Sequence, residues 1–310
     1  MKHLILVGAC YLDTILTVPH YPEEDAKLRA TNLSVRRGGN CPNSLQVLLD
    51  LIPAADTNTK LHLVSCLPRK DSLASQRILS SFGNNSSRLH FGHCIYREDY
   101  EEAASSYIIR SDQTGSRTLV NYNNLPEITV DEFSQIASSF SPDDQTWWHF
   151  EGRIPETTLE CIRLLRGKLP NTTISVEVEK PGREGLVQLA ASADVVFYSR
   201  TWAEHRGYKS AEQCLQTEKP KRGFCPWGAL GAGAVTHDAK YTFAPVPNEP
   251  ITVIDAVGAG DTFIAGILYN VAVNDSKNQD ISQALQYAVT LATLKVQREG
   301  FDGLGSAMNK

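Results

Sequence analysis

Between Leu61 and Tyr198, short apolar runs rich in β-branched and aromatic residues take turns with stretches of helical spacing. No other feature constrains the fold as much. Strands are read at 61–67, 89–96, 147–150, 173–178 and 195–198, with helices near 73–81, 156–165 and 183–189. Strands alternating with helices predict a parallel sheet covered on both faces. Ahead of this region, the run from His3 to Gly8 reads as a first buried strand, and Leu45, Leu48, Leu49 and Ile52 recur at helical spacing behind Pro42. Behind it, strands are expected at 223–227, 234–236, 241–244 and 251–254, then helices over 260–273 and 281–296.

One stretch breaks the alternation. Residues 105–110 and 116–122 flank a Ser-Asp-Gln-Thr-Gly turn and read as a hairpin. With short strand candidates between residues 15 and 35, it predicts a small accessory sheet. The chain is therefore read as one α/β domain over 1–310, with an excursion formed by about 12–37 and 98–124. Tyr107, Ile108, Leu119 and Val120 on that excursion suit a lid over a site, a homodimer surface, or both.

Composition narrows the partners. The 310 residues carry 30 Lys+Arg against 35 Asp+Glu, a net charge of −5, without a basic run, so no nucleic-acid partner is expected. Apolar runs fall short of the roughly 20 residues a bilayer span needs, and Met1–Cys10 is too short for a signal peptide, so no membrane partner is expected. Seven scattered cysteines without a Cys-x-x-Cys pair favour reduced thiols over disulfides or zinc. A cytoplasmic location is the corresponding expectation.

Two glycine-rich segments carry chemistry. Asp255-Ala-Val-Gly258-Ala259-Gly260-Asp261 stands between apolar stretches, where glycines let N–H groups converge at a helix N-terminus. That makes an anion hole, and Asp261 either caps the helix or accepts a proton from an attacking hydroxyl. Arg37-Gly38-Gly39-Asn40-Cys41-Pro42-Asn43 is a second loop-to-helix junction. Asn40 and Asn43 offer amides suited to sugar hydroxyls, with helix capping the plainer role for Asn40. Asp13 and the Glu23-Glu24-Asp25 turn add acceptor oxygens. Glu177 and Glu179, two apart on a strand, either act through metal-bound water or pair with Lys180 or Arg183. His149 is read as strand packing.

Gly38-Gly39-Asn40-x-x-Asn43 and Asp255-x-x-Gly258-Ala259-Gly260-Asp261 together resemble the two signatures of the PfkB, or ribokinase-like, carbohydrate kinases, with further stretches nearest the ketohexokinases. These include Gly115-Ser-Arg117-Thr, Glu151-Gly-Arg153, Ser175-Val-Glu-Val-Glu-Lys-Pro181 and Gly300-Phe-Asp-Gly303, in order along nearly the whole chain. The resemblance implies a Rossmann-like, mostly parallel sheet sandwiched by helices, a small β-sheet lid, and a homodimer through that lid. It implies transfer of the ATP γ-phosphoryl to the 1-hydroxyl of a ketohexose, with ATP and Mg2+ as cofactors and K+ left open as a third. Asp261 would be the base, with Gly258, Ala259, Gly260 and Arg117 against the phosphoryl group. Asp13, Asp25, Gly39, Asn40 and Asn43 would hold the sugar, Gly231 the nucleotide, and Glu177 and Glu179 the metal through water.

Three departures stand against the pattern. Ala256 replaces the hydroxyl residue usual in the late signature, the Asn-x-x-Glu motif is not apparent where Ser199-Arg-Thr-Trp202 stands, and Cys41-Pro42 interrupts the early loop. Cys41-Pro42 keeps open another acceptor, whether ribose, another sugar, a sugar acid or a nucleoside, and Ala256 a noncatalytic sensor; ketohexokinases look similarly degenerate at the Asn-x-x-Glu position, so that departure does not count against catalysis. P-loop, Gly-x-Gly-x-x-Gly, Gly-x-Ser-x-Gly and His-Glu-x-x-His motifs are absent, which leaves P-loop kinases, NAD enzymes, esterases and zinc proteases unsupported.

Overall fold

The computed structural model describes residues 1–247, 250–274 and 280–308, apart from the side chains of Asn84 and Asn85. In chain order the strands are β1 (Lys2–Val7), β2 (Tyr11–Val18), β3 (Asn32–Gly38), β4 (Thr59–Val64), β5 (Cys66–Pro68), β6 (Leu89–His90), β7 (Ile95–Arg97), β8 (Ala104–Ser111), β9 (Arg117–Tyr122), β10 (Gln145–Phe150), β11 (Thr172–Val178), β12 (Val195–Tyr198), β13 (Gly223–Pro226), β14 (Gly231–Val235) and β15 (Tyr241–Pro245). The large sheet runs β15-β14-β13-β12-β11-β10-β1-β4-β6. From β13 to β6 every pairing is parallel, and β14 and β15 close one edge antiparallel.

Strands buried on both faces explain the near-continuous apolar runs. Ile5, Trp148, Ile174 and Val196 pack on one side with the helices Pro155–Lys168 and Leu186–Ser192. Leu4, Leu6, Leu61 and Phe197 pack on the other with Asn40–Leu51, Ala259–Leu268 and Ile281–Val296. The helix at 281–296 stands where its spacing predicts.

Local corrections have physical causes. The expected strand 89–96 is two short strands, because β6 pairs with β4 of the large sheet and β7 with β5 in a separate pair. Residues 251–254 form no strand; there the Ile254 and Asp255 N–H groups donate to the Val296 carbonyl at a helix end. The helix expected at 183–189 begins only after Gly185, at Leu186. The helices Val130–Ala137, Arg200–His205 and Ala211–Glu218 were not anticipated, although each is capped by a Thr or Ser side chain.

The excursion forms its own four-stranded sheet, β3-β2-β8-β9. Register sorts its side chains, since Val35, Thr14, Tyr107 and Val120 are direct neighbours, as are Arg36, Asp13, Ser106 and Asn121. Leu33, Val35, Tyr107, Val120 and Tyr122 are exposed on the first face. Ile108 is buried on the opposite face, so it does not belong to the open apolar surface where the sequence reading put it.

At the amino ends of the large sheet lies a histidine stack. His62 faces His90 at 4.8 Å and His93 at 5.2 Å, and its Nε2 is 3.0 Å from His3 Nδ1. Burial, then the neighbouring histidines, pushes His62 down to about 3. Above its ordinary 6.5 neither folded nor unfolded chain carries the proton; between 6.5 and about 3 only the unfolded chain takes it up, so stability falls with acid. His62→Phe, which keeps a ring, is expected to flatten the loss of melting temperature between pH 6.5 and 4. An unchanged acid slope in a thermal-melt series would remove the stack from the account.

Candidate active site

The two glycine-rich loops meet at the carboxyl ends of the parallel strands, where α/β sheets place ligands. The early loop turns at Gly39, whose φ of 106° and approach to the Ala9 carbonyl, 2.2 Å from where a Cβ would stand, admit only glycine. The chain then enters the helix Asn40–Leu51, capped by Gly39 without a side-chain bond. Asn40 is therefore not the cap. Its Nδ2 donates to Glu177 Oε2 at 2.7 Å and Glu179 Oε2 at 2.9 Å. Cys41 packs beneath, its thiol toward the Val7 carbonyl.

Asn43 joins the two loops. Its Nδ2 donates to Asp261 Oδ2 at 2.7 Å, while Arg37 Nη1 donates to its Oδ1 at 2.9 Å and so fixes the amide's orientation. Ser44 Oγ also donates to the Asp261 carbonyl. The late loop is made possible by Gly258, at φ 79°, where a Cβ would sit 2.4 Å from the Phe301 ring. The helix Ala259–Leu268 follows, capped by Gly258 rather than Asp261. Its first turn leaves N–H groups without intrahelical partners beside exposed Gly260, an anion-binding arrangement.

The electrostatics are unusual. Asp261, Glu177 and Glu151 converge with Glu179, and each of the first three has its carboxyl pushed upward by burial first and by its neighbours second. Glu177 reaches about 8 and Glu151 about 7, and Asp261 stands well above the usual carboxylate range. Amides and a neutral ring hold the cluster. Ala9 N–H donates to Glu151 Oε2 at 2.8 Å, and His149 Nε2 lies 3.1 Å from Glu177 Oε1. Burial pushes His149 down to about 3, so at neutral pH this is a neutral hydrogen bond and not an ion pair. His149 thus does more than pack, and its Nδ1 is 2.9 Å from Ser175 Oγ. Nor do Glu177 and Glu179 pair with Lys180 or Arg183; Arg183 instead donates to the Gly152 carbonyl.

Asp13 faces this site from β2, lying over Gly38 and hydrogen-bonded by Ser106. Arg117 lies exposed on β9, paired with Arg110 in register on the Asp13 side of the small sheet. Asp25 sits apart, in an exposed turn at φ 61°. Gly231 opens β14, buried and remote in sequence from both loops. Ala256 stands exposed in the late loop. Around Ser199–Trp202, Ser199 caps a helix and Arg200 pairs with Glu204 at 2.7 Å. Three further contributors escaped the sequence reading: Arg37, His149 as a partner of Glu177, and Lys295, whose fully buried Nζ donates to Asp255 Oδ2. Only the Arg-Arg before Gly38 gave a local signal for any of them.

An anion-binding helix end beside an enclosed carboxyl, on a parallel sheet with a smaller sheet alongside, is the architecture of a phosphoryl-transferring kinase. Residues 1–304 match the pfkB family carbohydrate kinases, and the chain belongs to that family, making it an ATP-dependent carbohydrate kinase. It is 30% identical to ketohexokinase of Mus musculus over 98% of this chain and 99% of that protein. It is 33% identical to a fructokinase of Rhizobium leguminosarum bv. trifolii over 55% of this chain and 52% of that one. The fold matches ribokinase of Thermotoga maritima with a TM-score of 0.78 at 15% identity, covering 99% of this chain and 97% of that one. Among the described residues no helix is long and apolar enough to cross a membrane.

The raised carboxyls set a stability prediction. Below pH 4.5 both folded and unfolded chains hold the Glu177 proton; from 4.5 to about 8 the unfolded chain releases it first, so stability falls as pH rises. Glu177→Gln is expected to stabilise the protein by roughly 1–3 kcal/mol at pH 8 and little at pH 4.5. Urea unfolding at the two pH values checks this.

Proposed function

We propose that this kinase phosphorylates the 1-hydroxyl of a ketohexose, fructose to fructose 1-phosphate. The observation that carries the reading is the Asn43–Asp261 hydrogen bond, which brings a hydroxyl-binding amide and a carboxylate base together at the anion-binding helix end. The 30% identity to a ketohexokinase along its full length supports the choice of acceptor.

In this reading Asp13, Asn40, Asn43 and the Gly39 backbone hold the sugar, and lid closure brings Asp25 to it from the turn between β2 and β3. Asp261 takes the proton of the primary hydroxyl as that oxygen bonds to the γ-phosphorus. The bond from phosphorus to the β–γ bridging oxygen breaks, and ADP leaves. N–H groups of Gly258, Ala259 and Gly260 face the charge that develops on the transferring group, and Arg117 approaches it from the lid. Gly231 lies against the nucleotide. Glu177 and Glu179 supply only oxygen donors, which suits Mg2+; they would hold it through water, and it would neutralise phosphate charge. The small sheet closes as a lid that excludes water, and its apolar outer face, Leu33, Val35, Tyr107 and Val120, pairs two copies as a homodimer. Seven free cysteines suit a cytoplasmic enzyme.

ADP release with Mg-ATP across ketoses, aldoses, sugar acids and nucleosides tests the acceptor, with product position read by NMR. Fructose is expected to give the 1-phosphate, and Asp261→Asn to lower turnover by roughly 10²–10⁴. Saturation by another acceptor at far lower concentration would move the substrate within the family. Because Asp261 must lose its proton to act, turnover is expected to rise with pH, and Glu177→Gln to shift that limb toward acid. For the dimer, Val120→Glu is expected to convert a dimer at micromolar concentration into monomer by sedimentation; a wild-type monomer would dismiss the interface.

A further inference from the structure

The sequence leaves open a K+ ion beside ATP and Mg2+. A loop that turns N–H groups toward an anion on one side turns carbonyls to the other, and those carbonyls need donors or positive charge. Behind the 255–261 loop the chain supplies that charge itself. Lys295, in the last turn of Ile281–Val296, is 0% exposed, and its Nζ lies 2.9 Å from the Asp255 carbonyl, 3.1 Å from Asp255 Oδ2 and 3.4 Å from the Arg298 carbonyl. An ammonium has three protons, and three oxygens receive them. The same Nζ stands 5.4 Å over the Phe301 ring, the ring against which Gly258 turns.

The oxygens around this point are the set a potassium ion would seek, a carboxylate and main-chain carbonyls, and they are already spent. K+ therefore does not fit there, because a second cation would meet the ammonium in a dry interior where like charges repel strongly. Asp255 is committed as well. Its Oδ1 accepts from Val257 N–H at 3.0 Å, and Arg36 Nη1 approaches its Oδ2 at 3.5 Å. The contacts run in an unbroken line from Lys295 through Asp255 to Val257 and then Gly258, the residue that turns the chain into the phosphate-facing helix.

We propose that Lys295 is the resident monovalent cation of this kinase: its ammonium holds the back of the phosphate-facing loop, and the enzyme works without K+. Lys295 is a positioning residue, since it acts on the anion hole through Asp255 and touches neither sugar nor phosphate. The inference rests on the reading of 258–261 as the anion hole, but not on which sugar is the acceptor.

Two measurements on the whole protein test it. The first compares turnover of the best acceptor from the panel in KCl, NaCl and tetramethylammonium chloride at equal ionic strength. The wild type is expected to vary less than about twofold, whereas removal of one oxyanion donor typically costs a hundredfold or more. A fivefold or greater requirement for K+ would overturn the proposal. Lys295→Gln is expected to lower kcat with little change in sugar KM, and NH4+ or K+ is expected to restore part of it; undiminished kcat without added cation would also overturn the proposal. The second measurement needs no turnover, and it keeps the test alive if the variant does not fold. Thermal melts of the wild type in the three salts are expected to coincide, and stabilisation specific to K+ would show a cation site that Lys295 does not fill. If no acceptor is phosphorylated while the melts still coincide, the acceptor assignment fails and the resident cation stands.

Discussion

Carboxyl groups crowded together out of water are the constraint on which the rest of this structure depends. Burial first, then Glu177 and Glu179, raises the proton affinity of Glu151 and Asp261, and burial then Glu179 raises that of Glu177; a cationic side chain set among them would quench the effect. Neutral groups hold them instead: the Asn40 and Asn43 amides, the Ala9 N–H and the uncharged His149 ring. The cations stand one layer back. Arg37 grips the far side of Asn43 and Lys295 grips Asp255, so positive charge orders the loops without neutralising the acids.

Much of this was legible in the sequence because it is periodic or typed. Buried parallel strands read as apolar runs, and loop residues such as Gly39 and Gly258 announce backbone that only glycine adopts. The segments that misled were short. Two apolar pieces around Gly92 look like one strand, and nothing local says that they pair with different neighbours. The missed helices did leave traces. Thr129-Val-Asp-Glu132 forms a reciprocal capping box, and Ser210-Ala-Glu-Gln213 follows the same spacing with a cap from Ser210.

Site residues divide along the same line. Asp13, Asn40, Asn43 and Asp261 could be proposed because their chemistry suits sugar and phosphate. Which cap or ion pair they would otherwise make was decided only by tertiary contact. His149 and Lys295 carry no local signal, since a histidine in an apolar strand and a lysine in an apolar helix read as packing and a solvated end. Their meaning comes from Glu177 and Asp255, 28 and 40 residues away.

The contact between the two loops spans 218 positions of chain, and that between Asn40 and Glu177 spans 137. Asp261 enters its site only from the last sixth of the sequence. A chain cut before Gly258 keeps the early loop and every parallel strand, yet it lacks Asp261 and the helix end that Asn43 meets. The sheet and the loop-to-loop contact are thus separable along the chain: among the described residues no strand lies beyond Pro245, whereas the partner of Asn43 does.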